Sequence, residues 1–291
     1  MIVVRLMGGL GNQMFQYALG RRLALDRVVP LKLDVSWFKD HDNRGYSLGN
    51  LAIKADIASK EDIFSLKSYS SYLSIHVAWK AAQRFLPYYK RRMVKEQIPG
   101  TYDSNILHCP DRAWLNGYWQ SEKYFQEIEK IIRKDFTPRQ ELPQKVRQMS
   151  RSIHSNPNSV SIHIRRGDYM TEFSQYFAAC SVDYYKRAVS HISAKINNPH
   201  FYIFSDDVKW AKNNLALSAD MTYIEPDTEI GAFKDMYLMS QCHHHINANS
   251  SFSWWGAWLG EKSDSIVIAP KRWFVDQPYP KDTIPERWVN L

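Results

Sequence analysis

Short aliphatic runs alternate along the chain with segments of helical period. Residues 1 to 7 are β-branched and aliphatic. Gly8-Gly9-Leu10-Gly11-Asn12 then makes a turn, and from Gln13 to about Asp26 the positions Met14, Tyr17, Ala18 and Arg21-Arg22 recur with period 3.6. Val28 to Val35 reads as a second strand. Strand, glycine loop, helix and strand together predict a βαβ unit at the start of the chain.

From Trp37 to Arg139 the pattern is less regular. Ser59-Lys60-Glu61-Asp62 has the form of a capping box. Lys123 to Phe136 predicts an amphipathic helix with Tyr124, Ile128, Ile131 and Ile132 on one face. Between them Trp79, Phe85, Tyr88, Tyr89, Lys90, Arg91 and Arg92 form a basic, aromatic stretch. It reads either as a surface helix or loop with its aromatics packed inward, or as a patch that touches lipid or glycan.

A polar helix follows Pro138 and Pro143. Ser155-Asn156-Pro157-Asn158-Ser159 is the strongest linker-like punctuation, which predicts domains over residues 1–155 and 156–291. Beyond it the alternation becomes regular. Strands are expected at Val160–Ile164, His200–Phe204, Met221–Ile224, His244–Ala248 and Ser265–Ile268. Helices are expected at Val182–Ile196 (capped by Ser181), Val208–Leu215, Ile230–Gln241 and Ser253–Gly260. Five short strands separated by helices imply a parallel, doubly wound α/β sheet, whose ligand lies off the carboxyl ends of the strands.

Composition narrows the function classes. The 291 residues are 44% apolar and 14% aromatic, and 38 Lys and Arg against 30 Asp and Glu leave +8. That charge fits nucleic acid, an anionic membrane surface or a phosphorylated substrate. A nucleic-acid module is disfavoured because no RNP, KH or helix-turn-helix pattern occurs. The three cysteines, Cys109, Cys180 and Cys242, are far apart and odd in number, which argues for a reducing, cytoplasmic setting without disulfides. The N-terminal apolar run is broken by Arg5 and is too short for a signal peptide. No run approaches the roughly 20 apolar residues of a membrane span.

The segments that end the strands carry the candidate chemistry. Five stand out: Gly8 to Asn12, His163 to Asp168, Ser205-Asp206-Asp207, Glu225, and Asn247 to Ser253. In His163-Ile164-Arg165-Arg166-Gly167-Asp168 alternation sets His163 and Arg165 on one face, while Arg166 turns the other way or joins the loop. A guanidinium at a strand end can grip a phosphate with two charge-assisted bonds, and Asp168 is placed to hold it still. The competing reading is a surface ion-pair knot. Gly8 to Asn12 lacks the third glycine of a dinucleotide fingerprint, and Asp34 keeps a nicotinamide site in play. Asn249-Ser250-Ser251-Phe252-Ser253 opens a helix and offers hydroxyls and N–H groups to an anion. Trp254, Trp255 and Trp258 are expected in the core. Cys242-His243-His244-His245 alternates faces and lacks zinc-type spacing, so no metal is expected there.

Three blocks together resemble the bacterial α-1,2-fucosyltransferases of glycosyltransferase family 11. They are Gly8-Gly9-Leu10-Gly11-Asn12-Gln13-Met14-Phe15-Gln16-Tyr17-Ala18, His163-Ile164-Arg165-Arg166-Gly167-Asp168-Tyr169, and Asn249-Ser250-Ser251-Phe252-Ser253-Trp254-Trp255-Gly256-Ala257-Trp258-Leu259. The resemblance implies a GT-B fold of two Rossmann-like domains facing a cleft, an N-terminal acceptor-side domain and a C-terminal GDP-fucose domain. It implies inverting transfer from GDP-β-L-fucose to the 2-hydroxyl of a terminal galactoside, on an oligosaccharide or lipid-linked glycan of O-antigen type, with neither cofactor nor metal.

Residue by residue, the resemblance implies that Arg165 binds the donor phosphate, with His163, Arg166 and Asp168 shaping that site. The backbone at Gly11 and the amide of Asn12 would lie against the sugar-phosphate end. Asp235 would read guanine, and Asn249, Ser250, Ser251 and Phe252 would line the nucleotide. Some relatives carry a basic carboxylate about ten residues after the motif histidine; here Phe173 stands there, beside Glu172. The base is therefore open among Glu172, Asp168 and a water. Part of the +8 is expected at Arg165 and Arg166, and the remainder, around Lys80 to Lys95, is expected to touch the inner face of the cytoplasmic membrane. Another GDP-sugar glycosyltransferase and a nicotinamide-dependent oxidoreductase are the rival functions.

Overall fold

The computed structural model describes residues 1–41, 45–67, 81–172, 174–215, 217, 219–225, 231–275 and 281–291. Trp79, Lys80 and Phe173 lie outside the described residues. The chain divides into two α/β units. The first comprises Met1–Gln140 with Lys281–Thr283, and the second Glu141–Pro280 with Ile284–Leu291. The division thus falls ahead of the expected 155/156 boundary. The helix Gln144–His154 packs within the second unit, where Ser150 Oγ donates to Tyr237 Oη at 3.2 Å.

The first unit is built on a sheet ordered β3-β2-β1-β5-β4. Its strands are β1 (Ile2–Arg5), β2 (Leu31–Asp34), β3 (Asp56–Ile57), β4 (Met93–Lys95) and β5 (Ala113–Asn116), and every pairing is parallel. Helix α1 (Leu10–Arg27) crosses from β1 to β2, three residues longer at its start than the period predicts. Ser59 and Asp62 close the expected capping box reciprocally, at 3.1 and 2.9 Å. The helix expected over Lys123–Phe136 is broken. Two 3₁₀ turns, Glu122–Tyr124 and Gln126–Ile128, precede an α-helix only over Glu129–Asp135. Phe125 leaves helical geometry (φ −133°), so Tyr124 and Ile132 are buried while Ile131 faces solvent.

The second unit has a six-stranded sheet ordered β11-β10-β9-β6-β7-β8. It consists of β6 (Ser159–Ile164), β7 (His200–Ser205), β8 (Asp220–Tyr223), β9 (His244–Ile246), β10 (Val267–Ala269) and β11 (Val289–Asn290), all paired in parallel. The chain starts at the central β6, builds outward to β8, then crosses back to β9. That is the Rossmann strand order, and its switch point lies between β6 and β9. Both faces of such a sheet are covered, which is why all six residues of β6 are buried. On one face Tyr184, Tyr185, Ala188 and Ile192 of the helix Val182–Ser193 pack on Val160, Ile162 and Ile164. The helix Ser251–Gly260 is also core: Trp254, Trp255 and Trp258 are almost wholly buried, as expected. Two parallel α/β units are the domain plan that the GT-B expectation requires.

Among the described residues no helix is long and apolar enough to cross a membrane. The Cys242–His245 run divides its donors. His243 pairs with Asp264 at 3.0 Å, His244 Nδ1 accepts the Ile266 N–H at 3.0 Å, and His245 Nδ1 bonds Ser161 Oγ at 2.8 Å.

Candidate active site

Two segments meet at the switch point of the second unit, the turn after β6 and the turn after β9. The His163 ring lies 5.4 Å from that of Phe252, and Tyr169 Oη donates to the Asn249 carbonyl at 2.9 Å. Tyr185 Oη donates to the His163 carbonyl at 3.1 Å, and Tyr184 Oη to the Asn247 carbonyl at 2.6 Å, so one helix fixes both strand ends.

Arg165 is the centre of the β6 turn. One nitrogen of its guanidinium lies 2.7 Å from Asp168 Oδ1 and another 2.9 Å from Asp206 Oδ2. Burial opposes its charge, but Asp206 and Asp168 outweigh that and raise its pKa. Asp206 also accepts the Arg166 N–H at 2.9 Å, which ties the turn after β7 to the turn after β6. A Cβ on Gly167 would come 2.9 Å from Asp206 Oδ2, so a side chain there would push that carboxylate aside. β6 ends at Ile164, so Arg166 belongs to the loop, and its guanidinium stacks 3.8 Å from the Trp210 ring centroid.

Charge in these turns departs from expectation. Arg165 and Arg166 are surrounded by Asp168, Asp206 and Asp207, the last 3.9 Å from Arg166 Nε. Three carboxylates against two guanidinium groups leave this cluster at net −1 and not positive. It presents directed donors without an excess of positive charge.

His163 is neutral at physiological pH. Burial, followed by the charge of Arg165, draws its pKa down to about 3. Its Nδ1 is buried and has no hydrogen-bond partner among the described residues, and the same holds for Asn247 Nδ2 at the end of β9. Both atoms lie at the ends of the strands that flank the switch point and are hydrogen-bonding capacity the described residues leave unused.

The other expected residues are distributed unevenly. Asn249 is fully buried. Its Nδ2 donates to the Ala178 and Trp273 carbonyls at 3.0 and 2.7 Å, and its Oδ1 faces Cys180 Sγ at 3.6 Å, so its side chain braces the turn. Burial pushes the Cys180 thiol up to about 11, which keeps it protonated. Ser250 caps the helix by accepting the Phe252 N–H at 3.3 Å, and Ser251 begins that helix. Asp235 lies in the first turn of the helix Ala232–Met239, with Lys234 Nζ at 3.5 Å. Glu172 is exposed on the turn after the motif. Beside the cluster opens a cavity of about 400 Å³ lined by Arg166, Tyr169, Phe177, Cys180, Trp210 and Val275 among others.

In the first unit Gly11 and Asn12 sit in the opening turn of α1, behind Gly8, whose φ of +71° the turn requires. The Asn12 N–H, expected against a ligand, donates to the Gly9 carbonyl at 3.0 Å, and Asn12 Oδ1 accepts from Gln120 at 2.8 Å. Sequence reasoning missed Gln13 and Gln16, both wholly buried, which hold this loop by bonds to the carbonyls of Gly8, Gly45 and Gly117. It also missed the partner of Asp206; the carboxylate's position at a strand end was the available signal.

The second unit is thus a Rossmann-order α/β sheet with a clamped guanidinium and unused hydrogen-bond capacity at its switch point. Residues 67–291 match Glycosyl transferase family 11, and the chain belongs to that family. It is 34% identical over 304 aligned residues to an α-1,2-colitosyltransferase of Escherichia coli, covering 100% of this chain and 98% of that one. It is 33% identical to the O-antigen biosynthesis glycosyltransferase WbnK of Escherichia coli, covering 98% and 99%. Galactoside α-(1,2)-fucosyltransferase 1 of Homo sapiens is 26% identical over 190 residues, 61% of this chain and 52% of that protein.

Proposed function

We propose that this glycosyltransferase moves L-fucose from GDP-β-L-fucose, with inversion, to the 2-hydroxyl of a terminal β-galactoside in a surface glycan of O-antigen type. The observation that carries the reading is Arg165, fixed between Asp168 and Asp206 at a nucleotide-type switch point. In the reaction the bond between C1 of the sugar and the β-phosphate oxygen breaks, and its electron pair stays on GDP. The acceptor O2 forms the new bond to C1 and loses its proton. Charge therefore grows on the phosphate in the transition state, where a preoriented guanidinium is worth more than in the ground state.

In this reading the second unit holds the nucleotide and the first holds the acceptor. His163, uncharged, offers a hydrogen bond and not a proton. Asp168 is occupied by its ion pair with Arg165; in this reading exposed Glu172, directly or through water, takes the proton. The reading includes no metal, so full activity in EDTA is part of the proposal.

The linkage is supported by two of the relatives, both named as α-1,2 transferases. The donor is the finer point. The colitosyltransferase likeness over the whole chain favours a second reading, in which the donor is the 3-deoxy counterpart, GDP-colitose. Incubation with each GDP-sugar and a panel of β-galactosides, with NMR assignment of the product, decides. Preference for GDP-fucose and an α-1,2 product is expected. Preference for GDP-colitose selects the second reading, and turnover with UDP-sugars alone overturns both. A Glu172→Gln variant that keeps the wild-type basic limb of the pH–rate profile removes Glu172 as base.

A further inference from the structure

Net charge is concentrated in one stretch of this chain. From Lys67 to Lys95 there are seven cations, Lys67, Lys80, Arg84, Lys90, Arg91, Arg92 and Lys95, and no Asp or Glu. The other 31 Lys and Arg are matched by all 30 acidic residues, so this stretch accounts for nearly the whole +8. The glycosyl-transfer cluster, at net −1, does not use it.

Within the described part of the stretch, the chain turns at residues 84–91 and exposes apolar side chains at the turn. Phe85 is 90% exposed and Leu86 38%. Arg84, Pro87 and Lys90 are exposed beside them. The turn is built. Arg91 donates from Nε to the Leu86 carbonyl at 3.0 Å and from Nη2 to the Arg84 carbonyl at 3.2 Å. The Arg92 N–H donates to Gln83 Oε1 at 3.0 Å, the Lys90 N–H reaches the Pro87 carbonyl at 2.9 Å, and Tyr88 Oη bonds the Asp103 carboxylate. A guanidinium that ties both arms of the turn holds Phe85 outward, where water gives it nothing.

We infer that the Arg84–Arg91 turn docks on an anionic lipid surface, with Phe85 and Leu86 entering the headgroup layer and the exposed Arg84 and Lys90 meeting lipid phosphates. Charge alone would suit any polyanion. The outward Phe85-Leu86-Pro87 tip, with no polar group to read a base, fits a bilayer better than a nucleic acid. The inference does not depend on which sugar is transferred.

The test is sedimentation of the full chain with vesicles. Binding is expected to phosphatidylcholine vesicles containing 30–40% (roughly) phosphatidylglycerol at low salt, not to phosphatidylcholine alone, and with release at high salt. Each cation removed by Arg84→Gln or Lys90→Gln is expected to weaken partitioning about fivefold. Phe85→Ser is expected to weaken it roughly tenfold and to leave the melting temperature unchanged, since the side chain is exposed. Lys145→Gln with Lys195→Gln removes equal charge elsewhere and is expected to retain binding. Equal loss in that control, unchanged binding in Phe85→Ser, or no binding to the anionic vesicles refutes the proposal. Tighter binding to single-stranded RNA than to the vesicles, insensitive to Phe85→Ser, reassigns the turn to nucleic acid.

Discussion

Replacing Asp206 by Asn isolates the clamp on Arg165. Asp206 holds two donors at once, the Arg166 N–H on Oδ1 at 2.9 Å and the Arg165 guanidinium on Oδ2 at 2.9 Å. An amide has one acceptor oxygen, so the variant satisfies one donor and points its NH₂ at the other. The Arg166 N–H is fixed by the backbone and keeps the oxygen. Arg165 is then held by Asp168 alone, at 2.7 Å. A unit charge pair about 4 Å apart is worth about 4 kcal/mol at an effective dielectric of 20. Both side chains are about a quarter exposed, 24% and 23%, so solvent screens most of that and about 1–2 kcal/mol of orientation is lost. Steady-state release of GDP at saturating acceptor should therefore show kcat reduced roughly five- to thirtyfold, against a hundredfold or more for Arg165→Ala. Because Asp206 acts through Arg165, the double variant should be no slower than Arg165→Ala. Additive losses, or kcat within twofold of wild type in Asp206→Asn with the fold intact by circular dichroism, would refute the clamp.

Three further outcomes are expected. In Gly167→Ala the new methyl, 2.9 Å from Asp206 Oδ2, displaces the carboxylate from Arg165; kcat should fall as in Asp206→Asn while the melting temperature hardly moves, because the displaced atom ends a side chain. Trp255 is wholly buried, with ring contacts to Trp254 at 4.9 Å and Trp258 at 5.2 Å, and Trp255→Ala should cost about 3–5 kcal/mol in denaturant unfolding. His163 and His245 have folded pKa values drawn from 6.5 down to about 3 by burial. The unfolded chain binds their protons first as pH falls, so stability is full above pH 6.5 and is lost between there and about 3. These two histidines together should make unfolding at pH 5 easier than at pH 6 by about 2 kcal/mol, with about half of that removed by His163→Gln.

How far the amino-acid pattern specified the structure depended on range. In the second unit five of the six strands fall in the short runs expected to form them, while β11, only Val289–Asn290, is too short to show a pattern and was not expected. Ser181 caps its helix by accepting the Tyr184 N–H at 3.2 Å, a contact three residues long and visible in the sequence. Arg165 and Asp168 are likewise three apart. Asp206 is 41 residues from Arg165, and their contact follows only from the lateral pairing of β7 with β6, which fixes Ile164 beside Ser205. Over Lys123–Phe136 the helical period was present but Phe125 broke it, since Tyr124 and Phe125 are buried by the rest of the first unit at the expense of helical geometry. Helical period also reveals nothing of what Gln13 and Gln16 bond to, because their partners are carbonyls up to 101 residues distant.

The net −1 of the β6 and β7 turns bears on how the site empties. A nucleoside diphosphate sugar carries about two negative charges at neutral pH, and the diphosphate left after transfer carries nearly one more. A strongly cationic pocket would hold that product most tightly at the moment it has to leave. Here two guanidinium groups are offset by three carboxylates. If the donor nucleotide binds at these turns as proposed, directed hydrogen bonds would favour the transition state while the local field opposed the additional charge, and the spent nucleotide would leave the faster.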